Sequence, residues 1–212
     1  MRFVAFNPNF HARQFKKNDS ATAAGISEVD LKRVSDGMIA YFSGRTDDLQ
    51  IYVTFMGKTE QSAFYDADEL SHMRDAKQVF TAVRILTVVL LVLGAILIAV
   101  NCILLKGIGK LPFGMIVGAA VFLGLFAVIG LMAAINFDGM FTTFHHIFFP
   151  QGNWQFSYWD SPMIRILPES LFFEAAIWIL GCGLAFAMII LVAGIVLILR
   201  KKSVVIKTQT CI

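Results

Sequence analysis

Charge is what this chain has least of. Only 16% of its 212 residues are Asp, Glu, Lys or Arg, against 57% hydrophobic residues, and the mean hydropathy is +0.69. A soluble domain of this length carries about 25% charged residues, so the bilayer is the expected solvent. Cysteine is also scarce. Cys102 and Cys182 fall in apolar runs and Cys211 near the end of the chain, which leaves no disulfide framework for any outer region. None of the three sits in a recognisable electropositive cleft, so packing rather than nucleophilic chemistry is expected of them. The ending Cys211, Ile212 is not a prenylation signal. No GxSxG elbow, HxxxH or HxxE spacing occurs, and Ser157 between Phe156 and Tyr158 has no local catalytic partner. No basic patch with interleaved aromatics points to nucleic acid, and the net charge of +3 reflects topology.

What is present are three uncharged stretches, residues 85–105, 111–136 and 175–199. A hydrocarbon core of roughly 30 Å needs about 20 helical residues, and lipid cannot satisfy an open backbone, so each stretch predicts a transmembrane helix. Lys106 and Lys110 follow the first, and Arg200, Lys201 and Lys202 follow the third, which places both segments in the cytoplasm. The expected order is an extracellular cap at 1–80, a span at 81–105, a cytoplasmic loop at 106–110, a span at 111–136, an extracellular segment at 137–174, a span at 175–199 and a cytoplasmic tail at 200–212. The fold class is an all-α membrane protein with three visible spans and a small extracellular cap. About eighty polar residues precede the first span, and residues 1–6 are too short for a signal-peptide core, so an upstream helix and a four-span parent are expected. Gly114 with Gly118 in the second span, and Gly181 with Gly183 in the third, suggest close helix packing.

Within the cap, Ser27 and Asp30 resemble a capping box, and Leu31, Val34, Met38 and Tyr41 then repeat at helical spacing until Gly44. Residues 49–55 are β-branched and aromatic, predicting a short strand or extended arm that turns at Met56, Gly57 and Lys58. From Asp66 a helix is expected to run straight into the first span, with His72 about 20 Å before Ile85. The second outer segment holds eleven aromatic residues between positions 137 and 173, about 30% against 13% overall. Phe137, Phe141, Phe144 and Phe148 fall on one helical face, predicting an interfacial helix with His145 beside its stripe. An aromatic belt explains Trp and Tyr at this depth, but not a histidine pair among phenylalanines.

Three of the four histidines, His72, His145 and His146, are thus expected near one membrane surface, with His11 apart. Histidine gives and takes protons near neutral pH. Glu69 and Asp75 stand three residues to either side of His72, where either carboxylate can orient its ring or simply make a surface helix pair. His145 and His146 point about 100° apart on a helix, so at most one faces a common site, and His146 is expected at the headgroups or against the cap. A metal set drawn from His72, one of these histidines and Asp138, Asp160 or Glu169 has no preforming spacing.

Residues 69–77, reading Glu69, Leu70, Ser71, His72, Met73, Arg74, Asp75, Ala76, Lys77, and residues 144–149, reading Phe144, His145, His146, Ile147, Phe148, Phe149, are the most distinctive stretches of the chain. With Asn153, Trp154, Leu167, Pro168, Glu169, Phe172 and Phe173 they resemble the lipoprotein intramolecular transacylase (Lit) family of Gram-positive bacteria. That resemblance implies four spans, an extracellular cap, and transfer of the sn-2 acyl chain of a diacylglyceryl-cysteine lipoprotein onto the cysteine α-amino group, giving the lyso form. It further implies two catalytic histidines, matching His72 and His145, and diacylated lipoproteins and membrane lipid as partners. No cofactor or metal is implied. A general base and a general acid are needed, and His72 as base with His145 as acid is the expected division, the reverse remaining open. Phe141, Phe144 and Phe148 would form the substrate walls. Asn153 or Trp154 would donate to the oxyanion, and Glu69, Asp75 and Glu169 would support the site. The competing classes are a non-catalytic receptor or assembly factor that binds through its aromatic outer loop, and a metal-dependent membrane hydrolase.

The charge asymmetry makes a topological prediction. In the expected four-span parent, a cysteine introduced near Gly44 or Gly152 reacts from outside with an impermeant thiol reagent in intact cells, whereas one near Lys106 does not; labelling near Lys106 would overturn the orientation.

Overall fold

The computed structural model describes residues 6–103 and 110–209, with side chains as far as Arg200. Lys106 and Cys211, and the side chains of Lys201 and Lys202, lie outside the described residues. The chain divides into two compact units, one made of residues 6–84 and 137–179, the other of residues 85–103, 110–136 and 180–209.

In the first unit, helix α1 (Pro8–Lys17) starts where the Asn7 side chain accepts the Asn9 N–H at 2.9 Å and Pro8 presets φ. The five-residue α2 (Ser20–Ala24) stops at Gly25, whose φ of +70° suits a residue without Cβ. Neither short helix was legible as such in the sequence. Helix α3 (Glu28–Ser43) is capped by Ser27, which accepts the Asp30 N–H at 3.1 Å, and ends at Gly44 with φ +79°. Its predicted stripe of Leu31, Val34, Met38 and Tyr41 is buried.

The expected strand narrows to two residues. β1 (Tyr52–Val53) pairs antiparallel with β2 (Ser62–Ala63), Tyr52 opposite Ala63, around the turn at Met56 and Gly57. So brief a ladder is stabilised by packing, since an isolated hairpin is marginal in water. Ile26, Leu31, Val34, Val53, Phe64, Tyr65 and Ile166 are all but fully buried in one core. Each apolar side chain of this kind contributes about 1.5–3 kcal/mol relative to exposure.

Helix α4 (Ala67–Ile103) opens with a reciprocal cap that composition alone did not reveal. Glu69 N–H donates to Asp66 Oδ1 at 2.7 Å while Glu69 Oε2 accepts from Asp66 N–H at 2.9 Å. Glu69 is fully buried, and its other oxygen accepts the Ser161 hydroxyl, which is buried too. Burial raises the Glu69 pKa against the pull of those hydrogen bonds. Helix α4 is further tied down by Lys77, whose Nζ bonds Thr46 O at 2.9 Å and Asp47 at 2.8 Å and lies 4.1 Å from the Tyr41 ring. Helix α6 (Phe137–Phe148) follows a break at Asn136, α7 (Pro162–Ile166) is capped by Ser161, and Gln14 and Lys17 of α1 both bond Glu174 of α8 (Glu169–Gln209).

The second unit contains α5 (Leu111–Ile135) and the apolar lengths of α4 and α8. Among the described residues three helices are long and apolar enough to cross a membrane: Ala67–Ile103, Leu111–Ile135 and Glu169–Arg200. Close packing between α5 and α8 occurs at Gly183, where a Cβ would come within 2.7 Å of Phe126, and at Gly194, where it would lie 3.0 Å from Pro112 O. Gly114, Gly118 and Gly181 face open space among the described residues, so the small-residue spacing marked the right helices but mostly the wrong glycines. Helix contact depends on which turn faces the neighbour, and a spacing motif does not say which one does.

Glu69→Ala removes both bonds of its carboxylate and strands the Ser161 hydroxyl. A loss of roughly 1–3 kcal/mol is expected, seen as a Tm several degrees lower in detergent; an unchanged Tm would show that the buried carboxylate is not structural.

Candidate active site

Two helices and one loop of the first unit converge on a pair of imidazoles. Helix α4 supplies His72, α6 supplies His145, and their ring centroids lie 5.9 Å apart with planes 27° from parallel. Aromatic rings enclose both. Phe149 lies 4.8 Å from His72 and 5.4 Å from His145, Phe156 is 5.8 Å from His72, and Phe141 and Trp154 are 4.2 and 4.9 Å from His145. Phe144 meets His145 at 5.4 Å, whereas Phe148 packs on Phe144 at 4.7 Å, one ring further out. His146 is exposed and meets the Trp154 ring edge-on at 5.0 Å. His11 is buried between Phe10 and Phe15 in α1.

The two rings differ in what holds them. His145 Nδ1 lies 2.7 Å from the Phe141 carbonyl, which can only accept, so Nδ1 carries the proton and neutral His145 keeps its lone pair on Nε2. His72 Nδ1 is buried and meets no hydrogen-bond partner among the described residues. Burial and the neighbouring His145 push the His72 pKa down to about 4, against a smaller upward pull from Asp75. Burial also lowers His145, opposed by its bond to Phe141, with His146 adding to the depression. Both imidazoles are therefore neutral near pH 7.

The flanking carboxylates serve different contacts. Glu69 is engaged with Asp66 and Ser161, as described, and not with His72. Asp75 Oδ2 accepts from Gln151 Nε2 at 2.6 Å and Asn153 Nδ2 at 2.8 Å, clamping the turn at Gly152, whose φ is +80°. The Asn153 amide N–H groups are thereby committed to Asp75 and to Ser71 Oγ at 3.2 Å, which leaves Trp154 Nε1, buried and unpaired among the described residues, as the available donor. Glu169 is exposed in the first turn of α8, where its charge complements the helix dipole. Among the described residues no three His, Cys, Asp or Glu side chains gather as a metal-binding group.

Ser71 and Phe149 lay within the distinctive stretches, and Phe149 was legible on the helical face of His145, but neither was given a role there; Phe156 and Gln151 were not assigned to the site from sequence. Phe156 comes from an irregular loop, and no periodicity announces it.

The profile of the lipoprotein intramolecular transacylase Lit matches residues 1–173. The chain belongs to the Lit family. Its fold is similar to that of Lit from Bacillus cereus, a membrane-integral lipoprotein intramolecular transacylase, at 21% identity and a TM-score of 0.60 over 99% of this chain and 88% of that one. Bacillus cereus Lit carrying a histidine-to-arginine substitution superposes at a TM-score of 0.66, with 20% identity over 95% of this chain and 84% of that one. An uncharacterised protein of Aquifex aeolicus (strain VF5) is 24% identical over 199 residues, 91% of this chain and 84% of its own length. A membrane location follows for this Lit-family chain from its three apolar helices and its membrane-integral relatives.

The lowered His72 pKa makes stability depend on pH. As pH falls below 6.5 the unfolded chain takes up the His72 proton first, so stability fully present above 6.5 is lost progressively toward the folded value of about 4. Melting curves in detergent should show Tm falling across that window, and less steeply in His72→Gln; equal slopes would show that His72 is not the group responsible.

Proposed function

We propose that this chain transfers the sn-2 acyl chain of a diacylglyceryl-cysteine lipoprotein to the cysteine α-amino group at the extracellular face of the membrane, releasing a lyso-form lipoprotein. The supporting observation is the pair of neutral imidazoles, 5.9 Å apart inside an aromatic shell, in a chain of the Lit family. The charge asymmetry of the flanking loops supports the outer face.

The reaction needs proton handling more than a nucleophile from the protein. The α-ammonium must lose one proton before its nitrogen attacks the ester carbonyl, since its pKa is about 7.7–8. As the C–N bond forms, that nitrogen must lose a second proton, and as the C–O bond breaks, the departing sn-2 oxygen must gain one. The tautomer fixed by Phe141 favours His145 Nε2 as the first acceptor, the alternative to the expected division of roles that the sequence left open. His72 then moves the second proton from nitrogen to the leaving oxygen. His145 passes its proton to water before His72 takes up the second, so the pair carries one proton at a time and the step balances.

The walls of Phe141, Phe144, Phe149 and Phe156 exclude water and confine the acyl chain. Trp154 Nε1 donates to the oxyanion, Asn153 being committed elsewhere through its N–H groups. Because amine and ester belong to one substrate, holding them at near-attack distance supplies much of the acceleration. The scheme uses no metal or cofactor.

His72→Ala and His145→Ala should each lower conversion to the lyso form by roughly a hundredfold or more, the scale of a lost acid or base, with folded protein retained. The double variant should be little worse than either single one, and His146→Ala should have much less effect. Mass spectrometry of the lipoprotein N-terminal peptide reads the outcome, and a chelator should leave it unchanged. An active His72→Ala enzyme, or one lost only in step with folded protein, would end this reading of the pair.

A further inference from the structure

Three buried polar atoms at the histidine pair meet no partner among the described residues: His72 Nδ1, Asn153 Oδ1 and Trp154 Nε1. Buried amide oxygens rarely go without a donor, and their exceptions call for an explanation. The orientation of the Asn153 amide is not arbitrary. A carboxylate oxygen accepts, so the contact to Asp75 Oδ2 at 2.8 Å belongs to Nδ2, and the second bond to Ser71 Oγ at 3.2 Å lies on the same side. Oδ1 is thus the free end of an amide whose other end is fixed to helix α4, on the turns either side of His72.

An unpaired acceptor on Asn153 and an unpaired donor on Trp154 are consecutive in the chain, and the Trp154 ring lies 4.9 Å from His145. Their complement is a ligand presenting an N–H donor beside a carbonyl acceptor. Asp75 places a negative charge behind the acceptor, and among the described residues its hydrogen-bond donors are the neutral amides of Gln151 and Asn153, with no Lys or Arg bonded to it. A cationic donor suits that environment better than a neutral one.

We propose that Asn153 Oδ1, backed by Asp75, is the receptor for a primary ammonium group, the α-amino terminus of the lipoprotein. This rests on the transacylase reading and adds the subsite that holds the nucleophile. The site binds the group in its charged form and presents it to the histidines, so the attacking nitrogen is positioned before it is deprotonated.

The test uses two ether-linked analogues in detergent, neither with an ester to react: a dialkylglyceryl-cysteinyl peptide, and the same peptide with its first residue replaced by 3-mercaptopropionyl, which lacks the amine. The wild-type chain should bind the amine form roughly tenfold or more tightly, as a hydrogen bond to a charged group implies. Asn153→Leu should lose most of that preference while holding the desamino peptide within about twofold of wild type. Gln151→Ala, which loosens the same turn but leaves the amide oxygen, should keep the preference. Asp75→Asn, which removes the charge behind the acceptor but keeps an oxygen to accept from Gln151 and Asn153, should reduce the preference severalfold and decides the matter should the leucine variant not fold. Equal wild-type affinity for the two peptides, or an undiminished preference in Asn153→Leu, would overturn the proposal. Displacement of the amine peptide by phosphatidylethanolamine at matched concentration would assign the ammonium site to a lipid headgroup and overturn it as well. Conversion of a genuine ester substrate is read separately by mass spectrometry, so the subsite can fail while the reaction stands.

Discussion

Two imidazoles 5.9 Å apart cannot both hold a proton at little cost, and the first unit is organised around that constraint. At an effective dielectric of about 20, two unit charges at that distance repel by about 3 kcal/mol, or roughly two pKa units. Enclosure by Phe149, Phe156, Phe141 and Trp154 adds desolvation, which also disfavours charge. The pair therefore rests neutral and can carry one proton at a time. A site of this kind suits a reaction in which protons move between two groups of one substrate and no charge accumulates on the enzyme.

Holding the rings face to face requires α4 and α6 to be fixed relative to the loop between α6 and α7, and two carboxylates accomplish this by different means. Glu69 and Asp75 are symmetric in sequence, three residues before and after His72. In the fold they part company. Glu69 turns into the core, where it completes the N-terminal cap of α4 and accepts from Ser161 at the start of α7. Asp75 stays at the rim and grips the turn through Gln151 and Asn153. Both ends of the loop that delivers Trp154 and Phe156 are thus bonded to the helix bearing His72. Spacing predicted carboxylates near His72; it could not predict that they would hold the surrounding chain rather than the ring.

Legibility followed periodicity. The apolar spans, the α3 stripe and the phenylalanine face of α6 could be read because each repeats over several turns, so a pattern accumulates. Helices α1, α2 and α7 are ten, five and five residues long, too short for intrinsic propensity to decide, and exist through contacts such as those of Gln14 and Lys17 with Glu174. The strand at 49–55 shrank to two residues because few of its groups find a partner in β2. His72 and His145 stood out by type and by resemblance. What stayed hidden was the tautomer of His145, set by a carbonyl four residues away, and the engagement of the Asn153 N–H groups by Asp75 and Ser71, which leaves Trp154 Nε1 without a partner among the described residues.

The two histidines are held differently, and under the proposed reaction that difference divides the proton-handling roles between them. A ring bonded to a backbone carbonyl through Nδ1 has one free nitrogen and one role at rest, accepting a proton at Nε2. A ring whose Nδ1 has no partner, and whose pKa is pushed down to about 4, holds a proton only briefly and gives it up readily. The first property fits the role proposed for His145, a group that waits in the basic form for an ammonium ion. The second fits the role proposed for His72, a relay that passes a proton on within the lifetime of a tetrahedral intermediate. Burial sets the pair's neutrality, and a single backbone hydrogen bond distinguishes its members.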